Sequence, residues 1–125
     1  MKVFGTILVF VMAIIGCNAQ SSGVQNLPQA DLQKKLQEDN VVLIDVRTPT
    51  EISACYIPEA AHFININDAD FETKIAELDT TKTYVMYCRS GARSGRAANF
   101  MVSNGFTNVY NLEGGILGYK GTLKQ

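Results

Sequence analysis

Cys88 is the residue in this chain best placed to do chemistry. It follows the apolar run Thr83-Tyr84-Val85-Met86-Tyr87 and precedes Arg89-Ser90-Gly91-Ala92-Arg93-Ser94-Gly95-Arg96. A strand that ends in a cysteine, then a loop of small residues, then a helix beginning near Ser94 puts the thiol at a strand's carboxyl end facing a helix amino terminus. Successive N–H groups of such a loop converge into an anion nest, with the helix dipole behind it. Three of the four arginines, Arg89, Arg93 and Arg96, lie within eight residues of Cys88, and no acid occurs from residue 80 to 112. At a reference pKa of ~8.5 a cysteine is only about 3% thiolate at pH 7, and lowering the pKa by two units takes ~2.7 kcal/mol. A helix terminus supplies about 0.3 to 1 kcal/mol, and ~2 in good geometry. Loop N–H groups and arginines are therefore expected to supply the rest, and a thiolate held this way needs no histidine base.

The elements that must position this loop follow from the pattern of apolar residues. Val41–Val46 and Thr83–Tyr87 are β-branched and aromatic runs, the mark of strands covered on both faces. Ala61–Ile66 and Asn108–Leu112 are shorter strand candidates. Between them, Pro28–Leu36 has Pro where a first helical turn tolerates it and Leu32 and Leu36 four apart. Phe71, Ile75 and Leu78 mark a second helical face, and Ala97, Ala98, Met101 and Val102 a third. Helices alternating with buried strands predict an α/β domain, a mostly parallel sheet of about five strands with helices on both faces. The ligand site of such a sheet lies outside the carboxyl ends of its strands.

The amino-terminal segment reads as an address. Lys2 precedes an uncharged, mostly apolar run of 13 residues, Val3–Ile15, short of the roughly 20 needed to span a bilayer. Ile14-Ile15-Gly16-Cys17 resembles a bacterial lipobox, in which cleavage after residue 16 leaves Cys17 as the lipidated first residue. The alternative is ordinary cleavage after Ala19. Residues 17–23 read as a short polar tether and 24–125 as one domain. Lipidation implies a place on the periplasmic face of a bacterial membrane, held by the lipid anchor only, and ordinary cleavage a soluble periplasmic or secreted protein.

Composition bounds the partners. Hydrophobic residues make up 46% and charged residues 18% of the 125, and the net charge is -1. Removing the first 16 leaves 109 residues with 10 basic and 12 acidic side chains, enough for one compact domain. Nothing in this balance favours nucleic acid. The three cysteines, 17, 55 and 88, fit no C-x-x-C zinc pattern, and no metal is expected.

Tyr87-Cys88-Arg89-Ser90-Gly91-Ala92-Arg93-Ser94 resembles the active-site loop of the rhodanese (sulfurtransferase) family. Leu43–Glu51 is similar to that family's Asp-Val-Arg segment, Ile57–Ala60 to its Ile-Pro-Gly-Ala turn, and Asn108–Ile116 to its closing strand and Gly-Gly turn. Cys55-Tyr56, Glu59 and Tyr119 depart from residues common in the family, but none of them touches the cysteine loop. The resemblance implies that Cys88 takes a sulfane sulfur as a covalent persulfide, without a cofactor, from a small anionic donor such as thiosulfate. The acceptor would be cyanide or a thiol, a protein thiol included. It makes Cys88 the nucleophile and the loop residues Arg89, Ser90, Gly91, Ala92, Arg93 and Ser94 the substrate cradle. Related cysteine phosphatases place five residues between Cys and Arg, whereas four separate Cys88 from Arg93, which favours a single sulfur over a phosphate. A competing reading, from another class of function, is a persulfide carrier or non-catalytic binding module serving a partner protein.

The remaining residues have blander readings. Asp45 is expected to fix its loop by hydrogen bonds and Arg47 to pair with Glu51 four residues on. Arg93 reads either as an anion contact or as a brace for the loop, and Arg96 as surface charge. Cys55 is either simple packing or a resolving thiol for Cys88. His62 reads as structural.

Overall fold

A computed structural model describes residues 23–125, so the expected signal, the expected lipidation at Cys17 and nearly all of the expected tether lie outside the described residues. Five strands form one sheet: β1 (Gln25–Leu27), β2 (Val41–Asp45), β3 (Ala60–Phe63), β4 (Thr83–Tyr87) and β5 (Asn108–Leu112). Their order is β1-β5-β4-β2-β3 and every pairing is parallel. Four helices, α1 (Leu32–Leu36), α2 (Pro49–Ala54), α3 (Phe71–Ala76) and α4 (Ala92–Ser103), accompany the sheet, with a 3-10 turn before α1 at Gln29–Asp31 and another after β5 at Gly115–Gly118.

Alternate residues of the central strand β4 enter two separate cores, because successive side chains of a strand point to opposite faces. Tyr84 and Met86, with Cys88 beyond them, pack with Phe71 and Ile75 of α3 and Ala97, Ala98 and Met101 of α4. Val85 and Tyr87 join Leu27, Leu32, Ile57, Leu112 and Ile116 on the other side. Burial of each large side chain contributes about 1.5–3 kcal/mol, which is why β4 forms the middle of the sheet and cannot slip by one residue without inverting both cores. Tyr87 reconciles its hydroxyl with that burial by accepting a 3.1 Å hydrogen bond from the Ile57 N–H.

The edges differ most from the pattern-based expectation. In β1 only Leu27 is buried, so a three-residue strand left no apolar run to read. At the other edge the strand expected over residues 61–66 spans Ala60–Phe63, with residues 61–63 exposed. His62 is therefore a surface residue. Beyond β3 the chain still follows β2, with Ile64 N–H donating to Asp45 O and Ile66 N–H to Val46 O. The helix expected over residues 28–36 is a 3-10 turn followed by the short α1. Pro28 takes an extended conformation as the cap of that turn.

Candidate active site

The carboxyl ends of β2, β4 and β5 meet at one edge of the sheet, and β4 delivers Cys88 there. The Cys88 sulfur accepts the Gly91 N–H across 3.1 Å and lies 3.3 Å from Ser94 Oγ. Gly91 turns the chain with φ +111°, a left-handed conformation that side-chain-bearing residues rarely adopt, and caps α4, which begins at Ala92 rather than near Ser94. Burial pushes the Cys88 thiol up, but the Ser94 hydroxyl and the N–H groups of Ser94, Gly91 and Ser90 outweigh it, and the pKa falls below its ordinary value. The cradle is built of hydrogen-bond donors.

The arginines do less at the sulfur than their sequence positions predict. Arg93 Nη1 and Nη2 donate to the two carboxylate oxygens of Glu51 at 2.6 and 2.8 Å, so its guanidinium braces α4 against α2 and reaches Cys88 only as a charge through space. Arg89 and Ser90 are exposed at the loop's rim, as is Ala92, and Arg96 points to solvent one turn into α4.

Arg47 corrects a second expectation. It does not pair with Glu51. Its Nη2 donates to Asp45 Oδ2 at 2.8 Å, its Nε reaches both Asp45 oxygens at 3.1 Å, and Nη2 also holds the Cys55 carbonyl at 2.7 Å. Asp45 is 0% and Arg47 3% exposed, so this bidentate pair satisfies two buried charges that would each be costly alone. The physical reason is that α2 begins at Pro49, which leaves Arg47 outside the helix where a spacing of four would bring it beside Glu51. Glu51 instead closes a capping box with Thr48 and keeps its carboxylate for Arg93. With Arg93 beside it and Thr48 donating to it, Glu51 titrates at about 2.

A second loop clamps the first. Ile116 N–H donates to Cys88 O at 2.9 Å and Leu117 N–H to Arg89 O at 3.1 Å. Gly115, at φ +55°, allows this approach, since a Cβ there would fall 2.6 Å from Cys88 O. Gln29 fastens the clamp by donating to the carbonyls of Glu113 and Gly115 at 2.6 and 2.7 Å.

The five-stranded parallel domain that carries this cysteine loop has counterparts among known proteins. Residues 28–122 match the family described as Rhodanese-like domain. The chain belongs to that family. A rhodanese-like domain protein from Staphylococcus aureus, whose crystal structure is known, superposes with a TM-score of 0.69 at 27% identity over 81% of this chain and 97% of that one. The chain is 36% identical over 102 residues to the putative sulfurtransferase YtwF of Bacillus subtilis, covering 81% of this chain and 95% of the relative. To the thiosulfate sulfurtransferase GlpE of Pseudomonas syringae it is 38% identical over 90 residues, 72% and 82% of the two chains.

Within the rhodanese-like frame, the departures seen in the sequence fall away from the sulfur. Tyr56 meets Phe63 edge-on at 5.1 Å and exchanges backbone hydrogen bonds with Lys124, while Tyr119 packs on the core opposite Cys88. Cys55 lies against that same opposite core, and both it and Cys88 are free thiols. No cluster of three or more His, Cys, Asp or Glu side chains able to hold a metal occurs among the described residues. Three residues of the segments singled out in the sequence take roles at the rhodanese-like site that had no local signature: Glu51 as the partner of Arg93, Gly115 of the Gly-Gly turn as the close approach, and Asn111. Asn111 Nδ2 donates to Gly91 O at 3.0 Å and its Oδ1 accepts from Ser94 Oγ at 2.6 Å.

Proposed function

We propose that this rhodanese-like domain is a sulfurtransferase in which Cys88 carries sulfane sulfur from a small anionic donor such as thiosulfate to cyanide or a thiol, a protein thiol included. The observation that carries the reading is the convergence of the Gly91 N–H and the Ser94 hydroxyl on the Cys88 sulfur. The kinship with proteins named sulfurtransferases supports it.

The reaction balances without a cofactor. The Cys88 thiolate attacks the outer sulfur of thiosulfate, forming a new S–S bond as the bond to the sulfonate sulfur breaks, and the bonding pair leaves with sulfite. The persulfide left on Cys88 keeps a negative charge on its terminal sulfur, the charge that loop N–H groups stabilise. Attack on that sulfur by cyanide or a thiolate releases thiocyanate or a new persulfide and restores the Cys88 thiolate. Cys88 is only 1% exposed, so access favours donors as small as thiosulfate. We further propose that the protein is exported and, through Cys17, anchored by lipid.

The test is the mass of the intact protein after exposure to thiosulfate, followed by addition of cyanide. One added sulfur that is lost to cyanide, repeated over many turnovers and absent in Cys88→Ser, is the expected result. A single loading without turnover would assign the carrier role, and no loading at all would overturn both.

A further inference from the structure

The Ser94 hydroxyl has two neighbours and one proton. Its oxygen lies 2.6 Å from Asn111 Oδ1 and 3.3 Å from Cys88 Sγ. The orientation of the Asn111 amide is set by its other end: Nδ2 stands 3.0 Å from the Gly91 carbonyl, which only accepts, so the NH2 group must be there. Asn111 Oδ1 therefore faces Ser94, and because an amide oxygen cannot donate, the Ser94 proton must occupy that short contact. It is then not available to the sulfur. With Cys88 as a thiol the geometry is satisfied by S–H donating to Ser94 Oγ and Ser94 O–H donating to Asn111. With Cys88 as a thiolate, the same hydroxyl has to turn toward the sulfur and give up Asn111.

We infer that Asn111 is a positioning residue that competes with the Cys88 sulfur for the single Ser94 proton, so that β5 sets how readily the thiolate forms. The inference rests on the sulfurtransferase reading only for the use made of that thiolate. Ionisation releases the thiol proton to water and rotates one hydroxyl, and nothing is oxidised or reduced. The Ser94 hydroxyl is also a leading group in lowering the Cys88 pKa, as a donor to the thiolate would be. The charged groups around the site are Arg93 of α4 with its partner Glu51 of α2, the Asp45–Arg47 pair at the end of β2, and Arg89 in the loop itself. The facing stretches Asn108–Leu112 and Gly115–Gly118 carry no acid or base besides the Tyr110 phenol. The competition is thus confined to neutral groups that a substitution can remove without changing the charge of the site.

The test measures thiolate absorbance against pH in the full chain, each protein being read against its own Cys88→Ser counterpart. Asn111→Leu keeps the shape of the side chain and removes both hydrogen bonds. The Gly91 carbonyl retains a partner, because Gly95 N–H also donates to it at 3.0 Å. Freed from Asn111, Ser94 should lower the Cys88 midpoint by about half to one pH unit, the worth of one neutral hydrogen bond. Ser94→Ala should raise the midpoint, and in that background Asn111→Leu should no longer lower it. Asn111→Ala makes the same prediction without filling the site, should the leucine disturb folding. A midpoint that rises or stays put in both Asn111 variants, or that falls equally with and without Ser94, would overturn the competition and leave Asn111 as a brace for Gly91. Sulfur loading by mass is read separately. Absence of loading in the wild type with the midpoint pattern intact would sink the sulfurtransferase reading alone, whereas wild-type loading without that pattern would sink the competition alone.

Discussion

Arg93 and Glu51, 42 residues apart in the chain, meet in a two-bond fork of 2.6 and 2.8 Å that ties the first turn of α4 to α2. Glu51 is held to about 2, below its ordinary 4.5, chiefly by the Arg93 hydrogen bond. A carboxylate whose folded pKa lies below its unfolded one adds stability that is fully present above about 4.5 and is lost as the pH falls toward about 2. Allowing for partial exposure and screening, that contribution is about 1 to 2 kcal/mol. Urea melts of wild type should lose it across that acid window. Glu51→Gln should be weaker at neutral pH and flatter through the same window, and an identical acid profile would show that the fork adds nothing.

Arg89 stands exposed beside the cradle and makes no ion pair among the described residues. A free cation at the mouth of the site should act on capture of an anionic donor. Arg89→Ala is expected to raise the KM for thiosulfate roughly two- to fivefold with kcat nearly unchanged, and to blunt the dependence of kcat/KM on ionic strength. Equal salt dependence in both proteins would remove Arg89 from donor capture.

Gly115 and Gly105 form a matched pair for asking what a left-handed glycine is for. Both have positive φ, but a Cβ at Gly115 would collide with the backbone of Cys88 and Arg89 at 2.6 Å, whereas one at Gly105 would meet nothing within 4 Å. Gly105→Ala should cost about 1 kcal/mol of stability and leave sulfur loading intact. Gly115→Ala should cost roughly 3 kcal/mol or more and slow loading as the clamp is pushed off the loop. Thermal melts and mass spectrometry read the two effects, and equal behaviour of the two variants would show that the close approach is immaterial.

The proposed lipid anchor at Cys17 has a direct test. Membrane-bound wild type alongside soluble Cys17→Ala is the expected outcome, since several acyl chains anchor stably at ~0.8 kcal/mol per buried CH₂. A soluble wild type whose first residue is Gln20 would establish ordinary cleavage after Ala19.

The cysteine loop was legible in the sequence because its parts are contiguous. A strand end, a glycine able to turn left-handed and the start of a helix lie between Tyr87 and Ser94, so local backbone geometry alone brings N–H donors to the sulfur. The alternation of buried strands and helices likewise implied a parallel α/β sheet, since β4 and β2 carry apolar residues on both faces. Pairings between distant residues had no such signature. Arg47 was expected on Glu51 by helical spacing, yet it precedes the helix and folds back on Asp45, which frees Glu51 for Arg93. Asn111 reaches the loop because β5 lies parallel to β4 with Met86 opposite Asn111, a register set by the packing of two cores rather than by either strand's residues alone. The sequence by itself determined the candidate nucleophile, Cys88, and the loop whose N–H groups approach its sulfur. Only the tertiary structure decided which charges are already paired and which side chain competes for the Ser94 proton, because those contacts exist only once sheet order and register bring separate elements to one edge.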